Sequence, residues 1–485
     1  MISRAVAWTR GTIAAGLILF AGCASRPPAP ANAADDGRQW LAGDHHVHSR
    51  YSVGWNDSTT PPTPIIAGDA SYPIPRNAEM ARRFGLSWMV STDHGGPNHA
   101  KVNLEQAYPE LLTSRTAVPD LVQFYGMEFD TPGADHSSLI IPHSEHEHTD
   151  LHEIEHRFSK REPFPPDVSR DTEAAMLGAL RHMAALPLPP VLIANHPARS
   201  APGLGRYGQD TPAEFRAWND AAPRVAVGME GAPGHQAETL RRDGSRDSTA
   251  SRGGYARQAT LGGFDQMSAR LGGLWDALLG EGRRWWITAT SDSHRNWRDG
   301  GSDFWPGEYS KTYVYARKSH DDILDGVRNG RVFVTTGDLI DALMMTATSA
   351  SAMPAQIGGT LAVATGSDVT VTIRLRDPAD TNHAGRRPTV QRVDLIVGDV
   401  VAPSADRTLD RNPTTRVVRR FTAAEWRRDG DWLVMRHVLR DVHHTSYVRV
   451  RGTNGEELEP TPDPKGEDPW SDLWFYANPI FLTVR

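Results

Sequence analysis

The sequence predicts an α/β fold in two parts: a closed or distorted β/α barrel over residues 40–338, then an antiparallel β-sandwich over residues 339–485. Three observations predict it. Apolar or β-branched runs alternate with helical patterns about seven times in the first part, which implies parallel β/α units. Six of those runs finish in His, Asp or Glu. After about residue 340 the helical period disappears, and short alternating runs are separated by Gly, Pro, Asp and Asn turns. At 485 residues the chain exceeds the usual size of one hydrophobic core, in keeping with two parts.

The N-terminus opens with Arg4 and Arg10, runs apolar from Ile13 to Ala21 and reaches Gly22 and Cys23, the pattern of a secretory signal over residues 1–22. The apolar run is far shorter than the ~20 residues that cross a bilayer. "LFAGCAS" resembles a bacterial lipobox with Phe20 in place of the commoner aliphatic residue. On that resemblance Cys23 is the lipidated mature N-terminus, Ser25 suits the outer membrane, and residues 23–39 form a Pro/Ala-rich tether. The protein would then be an outer-membrane lipoprotein facing the periplasm, touching the membrane only through this anchor. Cleavage after Ala33 is the alternative and releases a soluble periplasmic protein. Cys23 is the only cysteine, which excludes an internal disulfide.

In the first part, candidate strands end at "GDHHVHS", "LSWMVSTDH", "VQFYGMEFD", "VLIANHP", "VAVGMEG" and "WWITATSDSH", with "SSLII" adding another. Candidate helices are "PRNAEMARRFG", "DTEAAMLGALRHMAA" and "FDQMSARLGGLWDALLGEG". A β/α barrel builds its active site from the C-terminal ends of its strands, so six distant segments are expected to converge on one cavity. In the second part "SDVTVTIRLRD", "TVQRVDLIVGDVV", "DWLVMRHVLRD", "TSYVRVRG" and "ANPIFLTV" read as sandwich strands whose arginines occupy solvated faces.

Hydrophobic residues at 39% and charged residues at 23% exclude a disordered chain and a multispanning membrane protein. The net charge of -7 argues against general nucleic-acid binding, which needs a basic surface.

Alternate side chains of a strand share a face, so Asp44, His46 and His48 point together while His45 and Val47 point away. Further strand ends supply Asp93 and His94, Glu128, His136, His196, and Asp292 and His294. Imidazoles mixed with carboxylates suit zinc, manganese or iron, and a bridging carboxylate holds two such ions ~3.5–4 Å apart in many enzymes that cleave phosphate esters.

The ordered set "DHHVHS", "STDHGG", "GMEFD", "DHSS", "ANHP" and "SDSH" resembles the polymerase and histidinol phosphatase (PHP) superfamily. The catalytic domain of that superfamily is a distorted seven-stranded β/α barrel. The ending "FYANPIFLTV" is similar to the sandwich of the secreted CehA/McbA-like group. The resemblance implies that His46, His48, Glu128 and Asp292 hold one metal. Glu128 then bridges to a second ion completed by His136 and His196. Members with three metals use a further ligand shortly after the first histidine pair, with counterparts of His94 and His294 completing the site. Here the aligned place is Val53, so two ions, Mn2+ or Zn2+ with iron also compatible, are expected, with Asn56 or Asp57 as possible substitutes for the missing ligand. Freed from a third ion, His94 and His294 either bind substrate and transfer a proton or orient metal ligands.

The expected activity is hydrolysis of small organophosphate diesters by attack of a metal-bridging hydroxide, with Arg199 of "HPAR" binding a phosphate oxygen. A carboxylic-ester or carbamate hydrolase is the competing enzyme reading, and a non-catalytic metal or ligand binder the reading from another class. "HSEHEHTDLHEIEH", residues 143–156, is expected to be a solvated loop or lid rather than a second metal cluster. Glu230 is expected to line the pocket, and Asp93 and Asp44 to orient strands or ligands.

Overall fold

In the computed structural model, which describes Met1 and residues 36–350 and 352–485, strand β1 (Gln39–Val47) carries the first histidines. The expected signal peptide, Cys23 and nearly all of the tether lie outside the described residues. No described helix is long and apolar enough to cross a membrane.

A short hairpin of β2 (Gly54–Asn56) and β3 (Thr63–Ile65) follows β1, then α1 (Ile74–Arg83) and β4 (Trp88–His94). Helices α2 (His99–Val102) and α3 (Tyr108–Ala117) lead to β5 (Val122–Asp130) and β6 (His136–Ile140). Next come α4 (Glu147–Phe158), α5 (Glu173–Ala185), β7 (Val191–Ala194), α6 (Pro212–Ala221) and β8 (Ala226–Ala232). Then α7 (Gln266–Ala269), α8 (Leu274–Gly280), β9 (Trp286–Ala289), β10 (Ser310–Ala316), α9 (His320–Arg328) and β11 (Val332–Thr336) complete the first part. Helix starts follow capping chemistry: the Thr172, Thr211 and Ser319 side chains accept from the backbone N–H three residues on in α5, α6 and α9.

The architecture is mixed α/β, with a 15-stranded mixed sheet and a separate five-stranded antiparallel sheet. β1, β4 and β5 pair in parallel, as do β7, β8 and β9. Strand β6 runs antiparallel to both β5 and β7, a departure from uniform β/α repeats. That reversal has a use: it sets the first residue of β6, His136, opposite the last residue of β5, Asp130.

The C-terminal part contributes β12 (Ala342–Thr348), β13 (Ala355–Gln356), β14 (Thr360–Val363), β15 (Ser367–Arg376), β16 (Arg392–Asp399) and β17 (Arg416–Thr422). It ends with β18 (Arg427–Asp429), β19 (Trp432–Val442), β20 (Ser446–Thr453), β21 (Trp474–Ala477) and β22 (Ile480–Val484). β21 pairs with β11, so the large sheet runs through both parts, and residues 38–485 form one compact unit. Arg449 of β20 donates to both carboxylate oxygens of Asp276 in α8 at 2.8 and 2.7 Å, both groups fully buried, so this arginine and Arg451 do not lie on the solvated faces expected of them. Gly43 lets the Trp88 indole lie across β1, since a Cβ there would fall 1.9 Å from the ring.

Two expectations are corrected. The helix expected over "FDQMSARLGGLWDALLGEG" is two short helices, because Gly272 takes φ +69° and turns the chain between them. Residues 143–156 are not a loop but mostly α4, which buries Leu151, Ile154 and Glu155 while Glu147 pairs with Arg115.

Candidate metal centre

The parallel registers deliver the expected side chains to one end of the sheet. His94 sits opposite Glu128 at the ends of β4 and β5. Val47 bridges to Ser293, and the His48 N–H donates to Ser293 O at 3.1 Å, which seats β1 beside the turn carrying Asp292 and His294. His196 and Asp292 follow β7 and β9 with φ of +32° and +48°. Non-glycine residues at positive φ are costly and persist where their surroundings over-determine them.

Glu128 is the hub. Its Oε1 lies 3.1 Å from His46 Nε2, 3.1 Å from His196 Nε2 and 3.4 Å from His136 Nδ1. Its Oε2 lies 3.5 Å from His48 Nε2 and 2.8 Å from His94 Nδ1. Asp292 Oδ1 is 3.2 Å from Nε2 of both His46 and His48. The two Nε2 atoms are themselves 3.0 Å apart. All six residues expected to bind metal therefore meet, with His94 and His294 at the rim, 20% and 16% exposed.

Burial pushes the carboxyls of Glu128 and Asp292 up, but the imidazoles around them, and Arg199 beside Asp292, outweigh it and hold both well below the usual range. Burial works against protonation of His46 and His136, yet the facing carboxylates raise both well above 6.5. For His48, burial and the neighbouring His294 together push it well below 6.5.

The donor set fits divalent cations. Imidazole nitrogens and carboxylate oxygens converge edge to edge, and Glu128 Oε2, His94 Nδ1 and His196 Nδ1 are buried with no hydrogen-bond partner among the described residues. Several groups here, including His46–His48–Asp292, His94–Glu128–His136 and His48–His94–His294, bring one ligand atom each within 4.8 Å of one another and could hold metal ions.

A second layer orients the first. Glu230 does not line the pocket: it is fully buried behind it, with Oε1 2.7 Å from His46 Nδ1 and accepting from Thr290, and Oε2 accepting the His196 N–H at 2.6 Å. Carboxylates behind metal-binding imidazoles fix ring orientation in this way. Asp93 accepts from the Ser49 backbone and hydroxyl, and the Ser52 hydroxyl lies 2.8 Å from His48 Nδ1. Asp44 accepts from the N–H groups of His46 and Ser291, and burial raises its carboxyl to about 7. Arg199 donates to Asp292 Oδ2 at 2.9 Å.

Three residues escaped the sequence reading. Val53 is buried in the hydrophobic core, and Asn56 accepts from Ser58 in an outer turn, so neither reaches the centre. The carboxylate at that place is Asp69, whose Oδ2 lies 3.4 Å from His294 Nε2 and 3.9 Å from His94 Nε2. It arrives on a loop with no periodicity to announce it. The other two are His235 and Asp303. His235 stands at a strand end, in "GMEGAPGHQ", like the residues that were recognised, whereas Asp303 lies in a loop without a comparable signal. Comparison with known families and with curated proteins returns no match for this chain.

Proposed function

We propose that the protein is a metal-dependent phosphoesterase of the PHP type, acting on small phosphodiesters. The observation that carries this reading is the position of Glu128: its carboxylate stands within 3.5 Å of His46 and His48, which also face Asp292, and within 3.4 Å of His136 and His196, so one carboxylate touches both ligand sets, as a bridge between two cations requires. The distorted-barrel reading is supported by side-chain bonds that bring β9 back against β10, with the Thr312 hydroxyl donating to Ala289 O and accepting from Ala289 N.

His46, His48, Glu128 and Asp292 would hold one ion, and Glu128, His136 and His196 a second, with Mn2+ or Zn2+ suited to the mixed N/O donors. Asp69, His94 and His294 make a third, more exposed position. Bound ions of this kind acidify water and stabilise charge developing on phosphoryl oxygens. Where that third position holds no ion, His94 and His294 border solvent beside the buried cluster, and either imidazole can pass a proton to a departing oxygen. Arg199, which pairs with Asp292, would donate to one phosphate oxygen. A diester brings a single negative charge, whereas a monoester brings nearly two, and a guanidinium shared with Asp292 suits the former.

Hydrolysis of bis(p-nitrophenyl) phosphate and p-nitrophenyl phosphate by chelator-stripped, Mn2+- or Zn2+-reloaded protein tests the reading. Faster diester turnover, abolished by chelation, is expected. Equal or faster monoester turnover overturns the diester preference. Hydrolysis of naphthyl esters or carbamates without phosphodiesterase activity overturns the phosphoester class.

A further inference from the structure

His235 stands at the rim of the centre with geometry that a packing role does not require. Its φ is +55°, and the preceding Gly234 is pressed so closely to the Asp292 turn that a Cβ there would fall 2.0 Å from Asp292 Cβ. His235 Nδ1 lies 2.5 Å from Asp303 Oδ1 and donates to it. Asp303 is itself buried, and its Oδ2 accepts the N–H groups of His294 at 2.7 Å and Arg295 at 2.9 Å. A carboxylate that takes the Nδ1 proton and fixes the ring leaves the Nε2 lone pair free for a cation.

His235 Nε2 lies 3.2 Å from Asp292 Oδ2. With the ring proton on Nδ1, Nε2 and Oδ2 present lone pairs to each other, and a cation held by both turns that repulsion into attraction. Asp292 thus repeats the pattern of Glu128: Oδ1 faces His46 and His48, and Oδ2 faces a different imidazole. One ligand atom each from His235, Asp292 and His294 lie within 4.8 Å of one another.

We propose that His235 Nε2 and Asp292 Oδ2 hold a further divalent cation at the edge of the centre, beside His294, with Asp303 as the positioning residue that presents the His235 lone pair. This rests on the reading of the cluster as a metal centre. Arg199 Nη2 donates to the same Asp292 oxygen at 2.9 Å, so guanidinium and cation compete for it. Filling the position displaces Arg199 from Asp292 and leaves its fork free for an anionic substrate, which links metal loading to substrate binding.

The test is Mn2+ binding to the full chain after chelator stripping, read by equilibrium dialysis with elemental analysis and by pulsed electron paramagnetic resonance of the imidazole nitrogens. The His235→Ala protein is expected to bind one ion fewer than the unmodified protein, with the remaining affinities unchanged. Asp303→Asn is expected to weaken that one ion about 10–100-fold. Arg199→Gln, which removes the competitor, is expected to tighten it. Identical stoichiometry and affinities in H235A overturn the proposal while leaving the metal centre intact; absence of Mn2+ binding by the unmodified protein overturns both. If H235A does not fold, His235→Gln takes its place: loss or weakening of one ion with the others unchanged supports the proposal, and unchanged stoichiometry and affinities overturn it.

Discussion

Asp69 Oδ2 lies 3.4 Å from His294 Nε2, although the two residues come from a loop behind β3 and a turn behind β9. The contact is prepared by the backbone: Ser71 N donates to His294 O at 3.2 Å, and the N–H groups of Asp69 and Ala70 both donate to Ser52 O. In Mn2+ titration, Asp69→Asn is expected to lose the weakest of the ions held by the three positions named above and keep the other two. Val53→His adds no ion. It places an imidazole in the core and lowers unfolding stability by about 1–3 kcal/mol in denaturant titration.

Glu230 holds the His46 ring and the His196 backbone from behind the cluster. Glu230→Gln turns one of the two acceptor oxygens into a donor, which faces either the His46 ring or the His196 N–H. Metal affinity is expected to fall about 10–100-fold, measured by competition with a chelator, while the circular dichroism spectrum stays that of the unmodified protein.

The Asp276–Arg449 pair ties α8 to β20 without solvent access. Removing one partner of a buried pair strands the other charge, so Asp276→Ala is expected to cost about 3–5 kcal/mol in equilibrium unfolding. Metal content of the folded fraction should not change.

Below the centre, His99 is fully buried. Burial opposes its protonation, but the Glu155 carboxylate 2.7 Å away outweighs this and raises it to about 9. The folded pKa thus exceeds the unfolded value of ~6.5, so the stabilisation is complete below ~6.5 and drains away as pH rises to about 9, at ~1.4 kcal/mol per pH unit. Thermal melts from pH 6 to 9 should show this decline, and the Glu155→Gln protein should lack that part of it.

The candidate ligands near strand ends are legible because a strand encodes them locally: alternation puts His46 and His48 on one face, and the same polar punctuation marks His94, Glu128, His136, His196 and Asp292. Asp69 is not, since its position depends on hydrogen bonds from a loop to the Ser52 and His294 backbones. The role of Glu230 was misjudged for a related reason. A strand-end carboxylate reads the same whether it faces the cavity or the ring behind it, and only the bond to His46 Nδ1 separates the two. The reversal of β6 and the pairing of β21 with β11 are likewise decided by long-range partners that periodicity does not record.

Anomalous diffraction from crystals loaded with Mn2+ or Zn2+, collected on both sides of the metal absorption edge, tests the metal centre most directly. The account predicts peaks between His46, His48 and Asp292 and between His136, His196 and the shared Glu128. Loaded crystals with no peak among these side chains, or with peaks only elsewhere on the chain, would contradict it.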